Sequence, residues 1–195
     1  MILIGDVHGK FSELKKLLNK FNSEKFIQLG DMGLGFRKEL DEQFLFPTSL
    51  KFLRGNHDNK AVCLKQPNYL GDFGVTPEGY FFISGAYSID RFLRTEGVDW
   101  WADEELDYAQ FSAMMDLFVK TKPKIVLSHE CPSVITHAIC NGRVIHNRTV
   151  SALNEALFRH QPTTWFFGHY HKHYDFDFEG TRFVCLAELE TMKLS

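Results

Sequence analysis

The chain has 195 residues, 44% hydrophobic and 24% charged, with a formal net charge of −3. That suits a soluble α/β-sized globule read as one domain over residues 1–195, with 19 phenylalanines to bury. No block of five or six lysines or arginines occurs, so no long nucleic-acid track is expected, and the opening apolar run is far too short for a membrane span. The cysteines Cys63, Cys131, Cys140 and Cys185 form no C-x-x-C pair, and the amino terminus carries no basic leader. A reduced, cytoplasmic protein is expected.

Met1–Ile4 is an apolar run that stops at Gly5-Asp6-Val7-His8-Gly9. The stretch KFSELKKLLNKF follows, with Phe11, Leu14, Leu17, Leu18 and Phe21 on one face of a helix that Ser12 is placed to cap. Phe26–Leu29 is apolar again and ends in Gly30-Asp31-Met32-Gly33. Leu50–Leu53 ends in Arg54-Gly55-Asn56-His57-Asp58. PEGYFFIS reads as another strand. A helix is expected from around Asp103 through ELDYAQFSAMMDLFVK. Ile125–Leu127 ends in Ser128-His129-Glu130, and TVSALNEALFRH predicts a further helix before Pro162. Thr164–Phe167 ends in Gly168-His169-Tyr170-His171. The tail alternates, turns at Glu179-Gly180 and reads as a hairpin.

Short continuous apolar runs suit strands buried on both faces. Strand, helix, strand predicts a parallel sheet, whose ligands gather at the carboxyl ends of the strands. All five polar clusters occupy that end, so they are expected to converge although they span positions 6 to 171. The tail suggests a second, more antiparallel sheet.

Asp6 and His8 are two apart and face one side of an extended segment; His169 and His171 repeat that spacing. Asp31, Asn56 and His129 complete a set of mixed nitrogen and oxygen donors with no thiolate, which suits Mn, Fe, Zn or Ni. The set is too large for one tetrahedral zinc. It suits two ions sharing a carboxylate, held about 3.5–4 Å apart. Singly, each residue has a plainer reading: an aspartate after glycine is commonly a turn, and Asn56 or Asp58 suits a helix cap. His137, His146, His160 and His173 match nothing in the pattern.

In order, D-x-H, GD, GNHD, a lone histidine after a strand and GH-x-H resemble the calcineurin-like metallophosphoesterases, from Gly5 to His171. The resemblance implies two mixed β-sheets packed as a sandwich flanked by helices. It implies one divalent ion on Asp6, His8 and His171, a second on Asn56, His129 and His169, and Asp31 between them. Manganese is the first choice, with Fe, Zn, Ni and Mg as alternatives. The implied chemistry is direct attack on phosphorus by a hydroxide bridging the two ions. His57 would donate the proton to the leaving group, Asp58 would orient His57 and keep it charged, and Arg54 would fork onto phosphate.

The segment GAYSIDRFLRTEGVDWWADEEL, positions 85–106, resembles one seen in small stand-alone members of the family. Tyr87 and Arg91 are taken from it as substrate contacts, with Arg94, Trp100 and Trp101 also placed to line the pocket. The competing reading buries the tryptophans and pairs the arginines with Asp90, Glu96 and Asp99.

Two departures bear on substrate. The second motif reads GDMGLGF, without the arginine that the protein-phosphatase and dinucleotide-tetraphosphatase branch carries there. The last motif, GHYH, looks more like the phosphodiesterase and nuclease branches. A phosphatase is the first expectation, acting on a phosphorylated small molecule, nucleotide or phosphoprotein. A phosphodiesterase on nucleotides or short nucleic acid is the alternative. A binding scaffold without catalysis usually lacks the acid histidine or a ligand, and a single structural zinc would leave Asp6 and Asn56 without a task.

Overall fold

The computed structural model describes residues 1–21, 24–36, 45–143 and 146–194. The apolar runs become β1 (Ile2–Ile4), β2 (Phe26–Gln28) and β3 (Leu50–Phe52), which lie parallel. The chain's last strand, β10 (Thr191–Lys193), adds to β1 antiparallel, giving the order β10-β1-β2-β3.

A second sheet holds β4 (Phe73–Val75), β5 (Phe81–Ile83), β6 (Ile125–Ser128), β7 (Thr164–Phe167), β8 (Tyr174–Phe178) and β9 (Thr181–Cys185), ordered β4-β5-β6-β7-β9-β8. The tail forms the expected hairpin, β8 against β9. The sheet is less antiparallel than the tail suggested: β5, β6, β7 and β9 run parallel, and only the edge pairings with β4 and β8 are antiparallel. Hairpin periodicity reports the local β8–β9 pairing and carries no information on which strand β9 meets on its other side.

The molecule is therefore an α/β sandwich of two mixed sheets flanked by helices. Leu3, Ile27, Leu29 and Leu53 of the first sheet pack against Phe82, Leu127, Phe166 and Val184 of the second. Helix α1 (Phe11–Lys20) lays Phe11, Leu14 and Leu18 on the outer face of the first sheet. After the one-turn α2 (Lys60–Cys63) come α3 (Tyr108–Thr121), α4 (Ser133–Ile139) and α5 (Arg148–Arg159). Residues of α3, α4 and α5 share a core with Phe81, Val126, Trp165 and Phe183 on the outer face of the second sheet. Burying each such side chain contributes about 1.5–3 kcal/mol.

Two helix starts differ from expectation. Ser12 does not cap α1; Lys10 holds that position without a side-chain hydrogen bond. Helix α3 begins at Tyr108, where Asp107 and Gln110 form a reciprocal capping box. Glu104 and Glu105 fall outside it because their carboxylates bind Ser88 and Thr149. Among the described residues no helix is long and apolar enough to cross a membrane.

Candidate metal centre

Parallel strands place the ends of β1, β2, β3, β6 and β7 on one rim, and the five polar clusters meet there. Four of the residues singled out by sequence have backbone in the left-handed region: His8 at φ 49°, Asp31 at 56°, His169 at 70° and His171 at 54°. Such backbone costs on the order of 1–3 kcal/mol per residue and persists where surrounding structure over-determines it. Here it turns each loop sharply enough to aim a donor back over the sheet edge.

Two donor groups result. Asp6, His8, Asp31 and His171 form one, and Asp31, His129 and His169 form the other, with the donor atoms of each group within 4.8 Å of one another. Asp31 belongs to both. His8 Nε2 lies 2.9 Å from His171 Nε2, and the latter lies 3.2 Å from Asp6 Oδ2. Asn56 joins the second group, its Oδ1 3.3 Å from His129 Nε2.

Glycines make the approach possible. A Cβ on Gly55 would run into the Asp31 carboxylate and the His129 ring, and one on Gly168 would run into the Asp6 carboxylate.

The donor set fits cations. Asp6 Oδ2 and Asp31 Oδ2 are buried without a hydrogen-bond partner. An unsatisfied buried carboxylate oxygen is strongly unfavourable, and a metal ion removes that penalty. Burial raises the pKa of Asp6, but His171 and His8 outweigh it and hold the group below the usual carboxylate range. Burial likewise opposes charging His129, yet Asp31 beside it pushes that histidine up to about 10. The pocket thus calls for positive charge between its carboxylates.

Partners behind the donors orient them. His129 Nδ1 lies 2.8 Å from the carbonyl of Leu29, which can only accept, so Nδ1 keeps a proton and Nε2 is the nitrogen turned to the cluster, where a bound metal would displace its proton. Asn56 Nδ2 donates to Ser88 Oγ at 3.1 Å, which turns the amide oxygen toward the cluster. Ser88 is held in turn by Glu104. The 85–106 segment therefore braces Asn56, a role its sequence alone did not reveal.

Three expectations are corrected. Asp58 does not orient His57. Its carboxylate accepts the backbone amides of Met32, Gly33, Leu34 and Gly55 at 2.8–3.1 Å and ties the Asp31 loop to the Asn56 loop. Arg54 does not reach the cavity: it is fully buried, donates to the Glu104 carbonyl at 2.7 Å and pairs with Asp72 at 3.3 Å. Arg91 lies over Tyr87 and Trp100, 4.5 and 5.8 Å from their ring centroids, and neither Arg91 nor Tyr87 lines the cavity. Both arginine assignments came from position along the chain, and a long side chain's direction depends on what it packs against.

His57 does face the cavity, beside His8 at 5.1 Å between ring centroids and stacked on Phe36 at 5.7 Å. Its companion is Arg94, whose Nη1 and Nη2 each lie 3.2 Å from a ring nitrogen. Burial first, with Arg94 among the nearby cations, pushes His57 down to about 4, opposite to the expectation that Asp58 keeps it charged.

Sequence reasoning also passed over Glu130. It is 3% exposed, accepts from the Tyr170 hydroxyl at 2.6 Å and lies 3.5 Å from His169 Nε2. Its place directly after His129 was the available signal. The cavity measures about 910 Å³ and continues past the cluster to Thr136, Cys140, Arg143 and Val150.

A two-sheet sandwich with carboxylate and histidine donors gathered on its rim has the form of a metal-binding protein. The chain belongs to the calcineurin-like phosphoesterase family, whose profile matches residues 1–173. It is a metallophosphoesterase, a hydrolase of phosphate esters. The protein TT1561 of Thermus thermophilus is similar over 96% of this chain and 89% of its own, at 13% identity and TM-score 0.59, a likeness of fold. Looser likenesses are a predicted phosphoesterase from Streptococcus pneumoniae (13% identity, 96% of this chain and 72% of that one, TM-score 0.42) and a phosphopantetheinyl hydrolase from Mycobacterium tuberculosis (12%, 95% and 89%, 0.45). No curated protein sequence matches the chain.

Proposed function

We propose that this protein is a dinuclear metal-dependent phosphatase acting on a phosphorylated small molecule, nucleotide or phosphoprotein. The observation that carries the reading is the pair of donor groups sharing Asp31, each containing a buried carboxylate oxygen with no hydrogen-bond partner. Asp6, His8, Asp31 and His171 would hold one divalent ion, and Asp31, Asn56, His129 and His169 the other. Manganese is the first choice on the donor set, with Fe, Zn, Ni and Mg as alternatives. Bound there, the ions would lower the pKa of water toward about 7 and neutralise phosphoryl oxygens. His57, on the cavity wall beside His8, would pass a proton to the leaving oxygen. The negative charge of a bound phosphate would favour the protonated ring against burial and Arg94. A cytoplasmic setting and a single domain stay part of this reading.

A second reading, a phosphodiesterase on nucleotides or short nucleic acid, is favoured by the cavity. At about 910 Å³ it leaves room for a group on each side of phosphorus.

The test is hydrolysis of p-nitrophenyl phosphate and of its bis ester by metal-stripped protein with Mn²⁺, Ni²⁺, Zn²⁺ or Mg²⁺ restored. Recovery with a transition metal and a faster monoester supports the phosphatase. A faster diester supports the second reading, and stripped protein that takes up no metal overturns both.

A further inference from the structure

Arg54 is buried, and the second-motif loop runs Asp31-Met32-Gly33-Leu34 with no arginine. A fixed cation nevertheless stands in the cavity wall. Arg94 lines it together with His57, Asp90 and Ile89.

Arg94 is built into place. Its Nε donates to Asp90 Oδ1 and its Nη2 to Asp90 Oδ2, both at 2.8 Å, and its Nη1 donates to the Asp99 carbonyl at 3.1 Å. Its side chain is 14% exposed. A guanidinium carries five N–H donors and no acceptor. Three are met by Asp90 and Asp99. The remaining two, on Nη1 and Nη2, face the two ring nitrogens of His57 at 3.2 Å, and an imidazole in either charge state offers at most one acceptor. A donor is therefore left over beside the ring, and that ring stands next to His8 of the first donor group. A surface arginine paired only for stability does not need such a position. An anionic oxygen satisfies it in a charge-assisted hydrogen bond.

We propose that Arg94 binds a non-bridging oxygen of the substrate phosphoryl group, with Asp90 as the positioning residue that holds its guanidinium. The assignment rests on the phosphoesterase reading of the metal centre. It gives the 85–106 segment a second task besides bracing Asn56: it delivers the cation that the second motif lacks. It also places one fixed positive charge against both the phosphoryl oxygens and the proton donor.

The test is calorimetric titration of inorganic phosphate into metal-loaded wild type, Arg94→Gln, Arg94→Lys and Asp90→Asn, with metal content and melting temperature measured on each. Arg94→Gln is expected to weaken phosphate binding by about tenfold or more at unchanged metal content, since a charge-assisted hydrogen bond is lost. Arg94→Lys is expected to fall between, because it keeps the charge without the fork, and Asp90→Asn to lose severalfold through a loosened Arg94. If Arg94→Gln fails to fold, Arg94→Lys carries the decision. Phosphate bound as tightly by a folded, metal-loaded Arg94 variant as by wild type overturns the assignment alone. Wild type that takes up no metal overturns the metal-centre reading together with it.

Discussion

His129 donates its Nδ1–H to the carbonyl of Leu29 at 2.8 Å, across the seam between the two sheets. Leu29 follows β2 and His129 follows β6, so one hydrogen bond registers the sheets and sets the tautomer of a donor. His129→Ala is expected to lower metal affinity more than about tenfold, measured by competition with a chelator. Asp31→Ala, which removes the shared carboxylate, is expected to lose both ions. Full metal content in Asp31→Ala would contradict a shared ligand.

His57→Ala tests the proton donor separately from the metals. Turnover of p-nitrophenyl phosphate is expected to fall by about 10² to 10⁴ while elemental analysis finds the wild-type metal content. Substrates with better leaving groups should lose less. Undiminished turnover in this variant removes His57 from the chemistry.

Asp58→Asn separates scaffold from catalysis. Asparagine would offer one oxygen to four amides that now converge on two, and would aim its own N–H groups at the others. Denaturant unfolding should show a loss of about 2–4 kcal/mol. The pH profile of turnover should keep its shape, because Asp58 makes no hydrogen bond to His57 among the described residues.

Asp72 is expected to make the fold acid-labile. Burial raises its pKa, but Lys60 at 2.7 Å and Arg54 outweigh it, so the folded value lies below the ordinary 3.8. A carboxylate with a depressed folded pKa contributes stability above its unfolded value, and that stability is lost as pH falls through the folded one. Melting temperature followed below about pH 4 should therefore drop more steeply in wild type than in Asp72→Asn. Asp72→Asn should itself be less stable at pH 7, since it leaves the buried Arg54 without its carboxylate. Parallel acid limbs for the two proteins would count against this account.

Much of the architecture was legible because it is written locally. Apolar runs three or four residues long, each followed at once or after one residue by a glycine or serine and then Asp, Asn or His, state both where a strand ends and what stands at that end. Parallel pairing then brings the ends together, so Asp6, His8, Asp31, Asn56, His129, His169 and His171 meet on one rim, as their places after the strands implied. The start of α3 was misjudged because Glu104 and Glu105 look helical until Ser88 and Thr149 claim them.

The roles of charged groups around the cluster were not legible. Arg54, Arg91 and Arg94 share a residue type and little else. One is sealed under Glu104 and Asp72, one lies over two outer aromatic rings, and one stands against His57. Asp58 follows His57 in sequence yet serves four amides. Donor identity and strand ends follow from residue type and periodicity, which act over a few positions. The direction of a long side chain, the partner of a carboxylate and the ionisation of His57 follow from burial and from charges brought close by distant segments, and these exist only once the two sheets have packed.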